Sequence, residues 1–285
     1  MNKQTIISFI DDSKYCDIVC EYSALLAKNS GSKIKLYHIL KKEKKQSKTD
    51  LSGSINLGAK TKLLENLVNY ESSIAKIANE KGWKVLENAK KKILESGNFN
   101  VEIRLRTGEI TQALKEKEHD GDIIVIGKRG EIKQNIDKKL GANFESIVRS
   151  SNKPIFVANR SFGSIKNILI AFDGSQPTLK LIDFFQKQNF FLNCKISLIY
   201  INDGKKKNFF DVNKQIQLDK PSKLDIELQE FNGQPKVILA DLVKSKKFDL
   251  LAIGAYGHSK VRSLLLGSTT SELIKNNRIP FLLMR

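Results

Sequence analysis

The chain has 285 residues, 40% of them hydrophobic, which is enough to form one large folded domain or two of ordinary size. Its formal net charge of +18 comes mainly from lysine, and the densest lysine runs lack interleaved aromatic residues, which favours a solvated basic surface over a nucleic-acid site. The three cysteines lack CxxC spacing, which argues against a disulfide framework and a zinc site and predicts a cytoplasmic location. No apolar run approaches ~18 residues, which argues against a membrane span.

The first part of the chain alternates strand and helix patterns. An apolar strand pattern at residues 5–10 ends in Asp11-Asp12-Ser13, and a second strand pattern follows at residues 33–40. A long helical pattern comes next, with apolar residues at steps of three and four: Leu63, Leu64, Leu67, Ile74 and Ile77. The continuously apolar run at residues 123–126 predicts a strand buried on both faces.

The second part of the chain repeats this order. Residues 5–13 correspond to 168–175, residues 33–40 to 195–202, and residues 122–130 (DIIVIGKRG) to 249–257 (DLLAIGAYG). Repeated units of this kind decide the architecture. The sequence therefore predicts two tandem domains, called here the first copy (residues 1–160) and the second copy (residues 165–285).

Each copy reads as a series of strand–helix–strand units. Continuously apolar strands joined by helices are typical of parallel sheets covered on both faces. The predicted fold class is therefore α/β, with two tandem doubly wound, mainly parallel sheets. Such sheets bind ligands at the carboxyl ends of their strands, where the strand order reverses.

The two copies differ between their second and third strands. The first copy has the long helical pattern there, whereas the second copy has only a short polar stretch, Asn202 to Asp225. A parallel sheet with one bare face exposes a large apolar area, which soluble monomers avoid. The long helix of the first copy or a second chain is expected to cover that face, and a homodimer is predicted.

A glycine-rich segment follows the strand pattern at residues 250–253. Gly254 and Gly257 are separated by two residues, and Gly267 follows after nine more, directly before Ser268 and Thr269. Glycines allow the backbone to approach an anion, and a helix N-terminus with hydroxyl groups favours a phosphate. A plain turn before a capped helix is the alternative. The segment is neither a P-loop nor a dinucleotide fingerprint.

This spacing, with Asp-Gly-Ser after the first strand, resembles the ATP-binding type of universal stress protein over the whole chain. The resemblance implies a five-stranded parallel sheet in each copy, with a nucleotide held between its first and fourth strands. It also implies that the closing strands, residues 155–158 and 281–284, pair between the copies. The implied contacts are the ribose set Ala171, Phe172 and Asp173, Ile201 at the adenine, and the phosphate set Gly254, Gly257, His258, Gly267, Ser268 and Thr269.

The first copy departs from this motif. It keeps Gly127 and Gly130, but ten residues precede Gly141, and Ala142-Asn143 replaces the hydroxyl pair. Asp12 adds a negative charge where the second copy has Gly174. One nucleotide per chain, bound by the second copy, is therefore expected.

The resemblance predicts a cytoplasmic stress-response or regulatory protein that binds ATP, ADP or AMP, with or without Mg²⁺, and acts on a protein partner that the sequence does not identify. Because the motif supplies no general base, a binding module is favoured over an enzyme, with weak ATPase activity at most. Two alternatives stay open. One is an adenylating-type enzyme, although the turn after residue 172 is short and poor in glycine for a pyrophosphate loop. The other is a nucleic-acid-associated protein that uses the lysine-rich surface.

Overall fold

The computed structural model describes residues 4–41, 57–128, 142–159, 161–204, 225–245, 247–254, 273 and 277–285, with only the backbone for 57–65 and 142. In the first copy the elements are β1 (Thr5–Ile10), α1 (Cys16–Ser30), β2 (Lys33–Leu40), α2 (Leu57–Glu95), β3 (Val101–Thr107), α3 (Ile110–Lys117), β4 (Ile123–Gly127), α4 (Ala142–Ser150) and β5 (Ile155–Ala158). In the second copy they are β6 (Asn167–Phe172), α5 (Gln176–Lys187), β7 (Lys195–Asn202), β8 (Asp225–Asn232), α6 (Pro235–Lys244), β9 (Leu250–Gly254) and β10 (Phe281–Met284).

All ten strands lie in one sheet, in the order β3-β2-β1-β4-β5-β10-β9-β6-β7-β8. Pairing is parallel within each copy, and β5 and β10 pair antiparallel, with Val157 opposite Phe281. The predicted α/β class with doubly wound, mainly parallel halves is confirmed. The closing strands pair between the copies as the resemblance implied, so the two five-stranded sheets are joined edge to edge.

The central strands are buried on both faces because helices cover both faces of the sheet, whereas the edge strands β3 and β8 are more exposed. One apolar core contains residues of α1, α2 and α5, and the other contains residues of α3, α4 and α6. The repeated aspartate before the fourth strand of each copy has a structural role: Asp122 Oδ2 accepts the backbone N–H of Thr5 (2.7 Å), and Asp249 Oδ2 accepts that of Asn167 (2.9 Å). The repeat in the sequence therefore fixes the same strand contact twice.

Helix α2 covers the sheet of its own copy. Its C-terminal part packs against β2, β3 and α1 through the buried residues Leu86, Ala89 and Ile93. The expectation that α2 covers the second copy is therefore not met by its main contacts. The stretch that led to that expectation falls largely on residues 205–224, which lie outside the described residues.

The two copies also contact each other beside the β5–β10 pair. On one face, the ring of Phe156 lies 6.5 Å from that of Phe191, and Asn29 donates from Nδ2 to the backbone oxygen of Phe190 (3.0 Å). At the carboxyl end of β4, the buried Lys128 donates from Nζ to the backbone oxygen of Asn277 (3.0 Å). Its Nζ also lies 5.9 Å from the ring centroid of Phe281. Side chains of the first copy thus reach the segment that precedes β10.

Among the residues that the structure describes, no helix combines the length and the apolarity that crossing a membrane requires.

Candidate functional site

The candidate site lies at the carboxyl ends of β6 and β9, which are adjacent parallel strands with Ala171 opposite Ile253. The chain leaves β6 at Asp173 and leaves β9 after Gly254. From β6, the next strand β7 lies on one side and β9 on the other, so the strand order reverses here. This crevice is where a doubly wound sheet binds its ligands.

Asp173 closes the turn that starts helix α5. Its Oδ1 accepts the backbone N–H of Ser175 (3.0 Å) and lies 3.0 Å from the hydroxyl oxygen of Thr178, which donates to it. Gly174 adopts a left-handed conformation with φ of 71°, which glycine tolerates without steric cost. Asp173 therefore organises the crevice, in addition to any contact with a ligand.

Gly254 has a packing reason to be glycine. A Cβ atom at this position would lie 3.1 Å from Cβ of Pro177 and 3.1 Å from Cγ2 of Thr178. Both contacts are closer than ordinary van der Waals distances, so the end of β9 rests directly on the first turn of α5. Packing alone therefore explains why residue 254 is glycine, as the alternative of a plain turn without a ligand requires.

The other residues predicted to contact the ribose and the adenine differ in the face of the sheet on which their side chains lie. Ala171 and Ile201 are half-buried on one face of the sheet, beside the core that includes α6. Phe172 is buried in the core on the opposite face, so it can reach a ligand in the crevice only through its backbone. The structure thus gathers the ends of three strands around the crevice.

The predicted phosphate-binding residues beyond β9 lie outside the described residues: Gly257, His258, Gly267, Ser268 and Thr269. On the β7 side of the crevice the neighbours are acidic. Burial, followed by the charges of Glu230 and Asp203, raises the pKa of Tyr200. A phosphate in this crevice therefore needs added positive charge, for which the sequence offers Lys260, Arg262 and His258, also outside the described residues.

Among the described residues, the equivalent crevice of the first copy leaves little free space. Asp11 makes the same turn, because its Oδ1 accepts the backbone N–H of Ser13 (3.2 Å). Tyr15, at the position of Pro177, is only 3% exposed, and its hydroxyl has no hydrogen-bond partner among the described residues. The cavity that it shares with Asp11, Gly127 and Asn143 measures ≈ 30 Å³. Such a space suits one or two water molecules and not a nucleoside.

The first copy differs from the second in two further respects. Asp12 does not adopt the positive φ of Gly174, so the two turns have different backbones. Cys16 replaces Thr178, so the hydroxyl that contacts Asp173 has no counterpart beside Asp11. Buried Cys20 forms a hydrogen bond with Cys16, and this bond and burial raise the pKa of the Cys20 thiol. The thiol is therefore a packing group rather than a nucleophile at neutral pH.

Three residues at the two crevices were missed by the sequence analysis: Thr178, Pro177 and Tyr15. A proline at the start of a helix is an ordinary start signal, and Thr178 lies within the first turn of α5. Aligning the two copies residue by residue would have set Tyr15 against Pro177 and indicated that the first crevice is filled. Within the described parts of the chain, no cluster of His, Cys, Asp or Glu has the geometry of a metal site.

Comparisons with known proteins agree with the fold. The family model described as "Universal stress protein family" matches residues 3–159 and again residues 164–285. Universal stress protein Slr1230 of Synechocystis sp. is 31% identical over 288 residues, covering 99% of this chain and all of that protein. The structure of a universal stress protein from Archaeoglobus fulgidus DSM 4304 has a TM-score of 0.69 at 17% identity, covering 99% of this chain and 96% of that one. A functionally unknown protein from Pseudomonas aeruginosa PAO1, PA1789, has a TM-score of 0.57 at 12% identity, covering 99% of this chain and 92% of that one.

Proposed function

Because the chain belongs to the universal stress protein family, we propose that it is a cytoplasmic stress-response or regulatory protein whose second copy binds an adenine nucleotide. ATP, ADP and AMP share the adenosine that the crevice would hold, and a Mg²⁺ ion would accompany the charged phosphates of ATP. Hydrolysis is expected to be slow or absent. The glycine motif, read from the sequence, supplies no general base that would activate water.

The observation that carries this proposal is the meeting of Asp173 and Gly254 at the reversal point of the sheet. Asp173 provides a carboxylate at the end of β6, and Gly254 begins the Gly-x2-Gly-x9-Gly-Ser-Thr sequence at the end of the adjacent strand. A carboxylate is a natural acceptor for ribose hydroxyls, and glycines allow phosphates to contact backbone N–H groups.

The turn after β6 weighs against an adenylating-type enzyme. Asp173, Gly174 and Ser175 form a tight turn closed by the Asp173 carboxylate, and α5 begins directly at Gln176. No long glycine-rich loop separates this strand from its helix. The first copy, with its crevice filled by Tyr15, supports a stoichiometry of one nucleotide per chain.

The test combines mass spectrometry with calorimetry on the full-length chain. Nucleotide released from the purified protein by denaturation identifies the bound species, and a titration of nucleotide-free protein with ATP at moderate salt should saturate at one per chain. Replacing Gly257 or Gly267 by valine should weaken ATP binding at least about tenfold, because a side chain blocks the approach of the phosphates.

The first copy supplies matched controls for these variants. Gly130→Val and Gly141→Val alter the equivalent glycines of the first copy and should leave the affinity for ATP unchanged. Unchanged ATP affinity in both second-copy variants would show that the site is wrongly assigned, and saturation at two nucleotides per chain with similar affinities would contradict the asymmetry. Binding of nucleic acid that collapses steeply with salt, without ATP binding, would favour the nucleic-acid alternative.

A further inference from the structure

Helix α2 consists of two parts with different surroundings. Residues 82–95 pack on the sheet and on α1, with Leu86, Ala89 and Ile93 buried. Residues 66–81 are exposed almost throughout. With 39 residues the helix is about 58 Å long, far longer than the eight-residue strand β2 beneath it. Its N-terminal part therefore presents a surface that the rest of the described chain leaves uncovered.

This exposed part carries an apolar stripe on one side. The α2 stripe consists of Leu67, Tyr70, Ile74 and Ile77, spaced by three, four and three residues. Leu67 is 49% exposed, Tyr70 66% and Ile77 55%, and Ile74 is half-buried. Residues at such steps lie on one side of a helix and form the seam by which two helices pair. Single exposed apolar residues are ordinary, but a continuous stripe marks an interaction surface.

The charges beside the stripe cancel, which favours contact with a segment that is itself locally neutral. Residues 66–81 contain two acidic residues, Glu71 and Glu80, and two basic ones, Lys76 and Lys81, so this segment has a formal net charge of zero. The whole chain carries +18. Two copies of so basic a chain repel each other over most of their surface, and a locally neutral apolar segment is where they can approach.

We propose that the α2 stripe is the contact by which two chains form a homodimer, with the two helices antiparallel about a two-fold axis beside residue 72. In this arrangement Leu67 of one chain packs against Ile77 of the second chain, and Tyr70 packs against Ile74. All four contact layers are then apolar. An isologous contact of this kind is self-complementary and closes at two chains.

The available area agrees with a dimer of modest affinity. Side chains of this size present about 150–250 Å² each, so the exposed parts of Leu67, Tyr70 and Ile77 amount to roughly 300–400 Å² per chain. Two chains would bury about 700 Å² of this apolar surface, which places the contact among weak interfaces. We therefore expect a dissociation constant on the order of tens of micromolar.

Sedimentation equilibrium of the full-length chain between about 1 and 200 µM tests this contact. The wild-type chain should shift from monomer to dimer across this range. Tyr70→Glu should remain monomeric, because it places a charge within the seam. Asn79→Glu adds the same charge on the far side of the helix and should dimerise as the wild type does. Circular dichroism should show the same helix content in all of them.

A paired charge reversal tests the antiparallel alignment. Leu67→Lys and Ile77→Glu should each weaken the dimer at least about tenfold, because each buries an unpaired charge. The double variant should regain dimerisation, since the introduced lysine and glutamate face each other between antiparallel chains. A wild type that stays monomeric at 200 µM, or a dimer insensitive to Tyr70→Glu, overturns the proposal. Loss in the single variants without recovery in the double variant overturns the antiparallel alignment.

Discussion

Replacing Asp173 by asparagine and by alanine separates the two roles that its carboxylate has in the crevice. One role is structural, because Oδ1 accepts the N–H of Ser175 and the hydroxyl of Thr178, each at 3.0 Å. The other is the proposed contact with the ribose hydroxyls. An asparagine side-chain oxygen can accept both internal hydrogen bonds, whereas alanine can accept neither.

The magnitudes of the two substitutions differ accordingly. Asp173→Ala should lower the free energy of unfolding by about 1–2 kcal/mol, the usual cost of losing such a helix-start contact. Asp173→Asn should lower it by less than about 0.5 kcal/mol. For ATP binding, a neutral amide replaces a charged acceptor, which costs about 1–1.5 kcal/mol, or roughly a fivefold to tenfold loss of affinity. Asp173→Ala should lose about tenfold to a hundredfold in affinity.

Calorimetric titration with ATP and urea unfolding of the same preparations measure both quantities. The control is Asp11→Asn, because Asp11 forms the same turn in the first copy, where Oδ1 accepts the N–H of Ser13 at 3.2 Å. This control should leave ATP affinity unchanged. If Asp173→Asn binds ATP as tightly as the wild type, the carboxylate is only a structural group. If Asp11→Asn weakens binding instead, the nucleotide site has been placed in the wrong copy.

Two further predictions concern packing and pH. Gly254→Ala should lower the free energy of unfolding by about 1 kcal/mol, because its Cβ would meet Pro177 and Thr178 at 3.1 Å. The control Gly163→Ala, which has no atom within 4 Å of its Cβ, should be neutral or slightly stabilising. Equal urea midpoints for the two variants would contradict the packing argument. Burial, aided by the charge of Asp249, raises the pKa of Cys194 from 9.0 to about 11. The buried neutral thiol therefore contributes fully to the free energy of unfolding below pH 9, where the thiol is also protonated in the unfolded chain. About 2–3 kcal/mol of that free energy is lost as the pH rises to 11, because the thiol ionises in the unfolded chain first. Cys194→Ala should remove that part of the alkaline loss in urea unfolding at pH 8, 9.5 and 11, and an unchanged pH dependence would contradict this assignment.

Much of the fold could be predicted because both copies encode it locally. Apolar strands end in an acidic residue and a serine in both copies, and the aspartate before the fourth strand is repeated because it binds the N–H that starts the first strand. The place of α2 could not be predicted. The spacing of its apolar residues predicts that one side of the helix is buried, but it does not identify the element that buries this side. The structure shows that Leu86 and Ile93 pack on the sheet of their own copy.

The candidate site could also be predicted only in part. The meeting of Asp173 and Gly254 could be predicted, because the carboxyl ends of adjacent parallel strands lie at one edge of the sheet. The contact between Gly254 and Pro177 could not, because it joins residues far apart in sequence and depends on where α5 lies on the sheet. For the same reason, the sequence left open whether Gly254 serves the fold or a ligand, and the structure shows that it serves the fold at least.

The inequality of the two crevices does not make the first copy dispensable. Asn159, directly after β5, donates from Nδ2 to the backbone oxygens of Asn277 (2.6 Å) and Ile279 (3.1 Å), which precede β10. Arg285, directly after β10, reciprocates by donating to the backbone oxygen of Arg149 (2.6 Å) near the end of α4.

Without the first copy, β10 would also become an edge strand with unpaired backbone groups, which proteins usually protect. The first copy therefore supports the segment that follows the glycine motif of the second. A crevice filled by Tyr15 is compatible with that supporting role, because the copy that supplies the contacts does not itself need to bind a nucleotide.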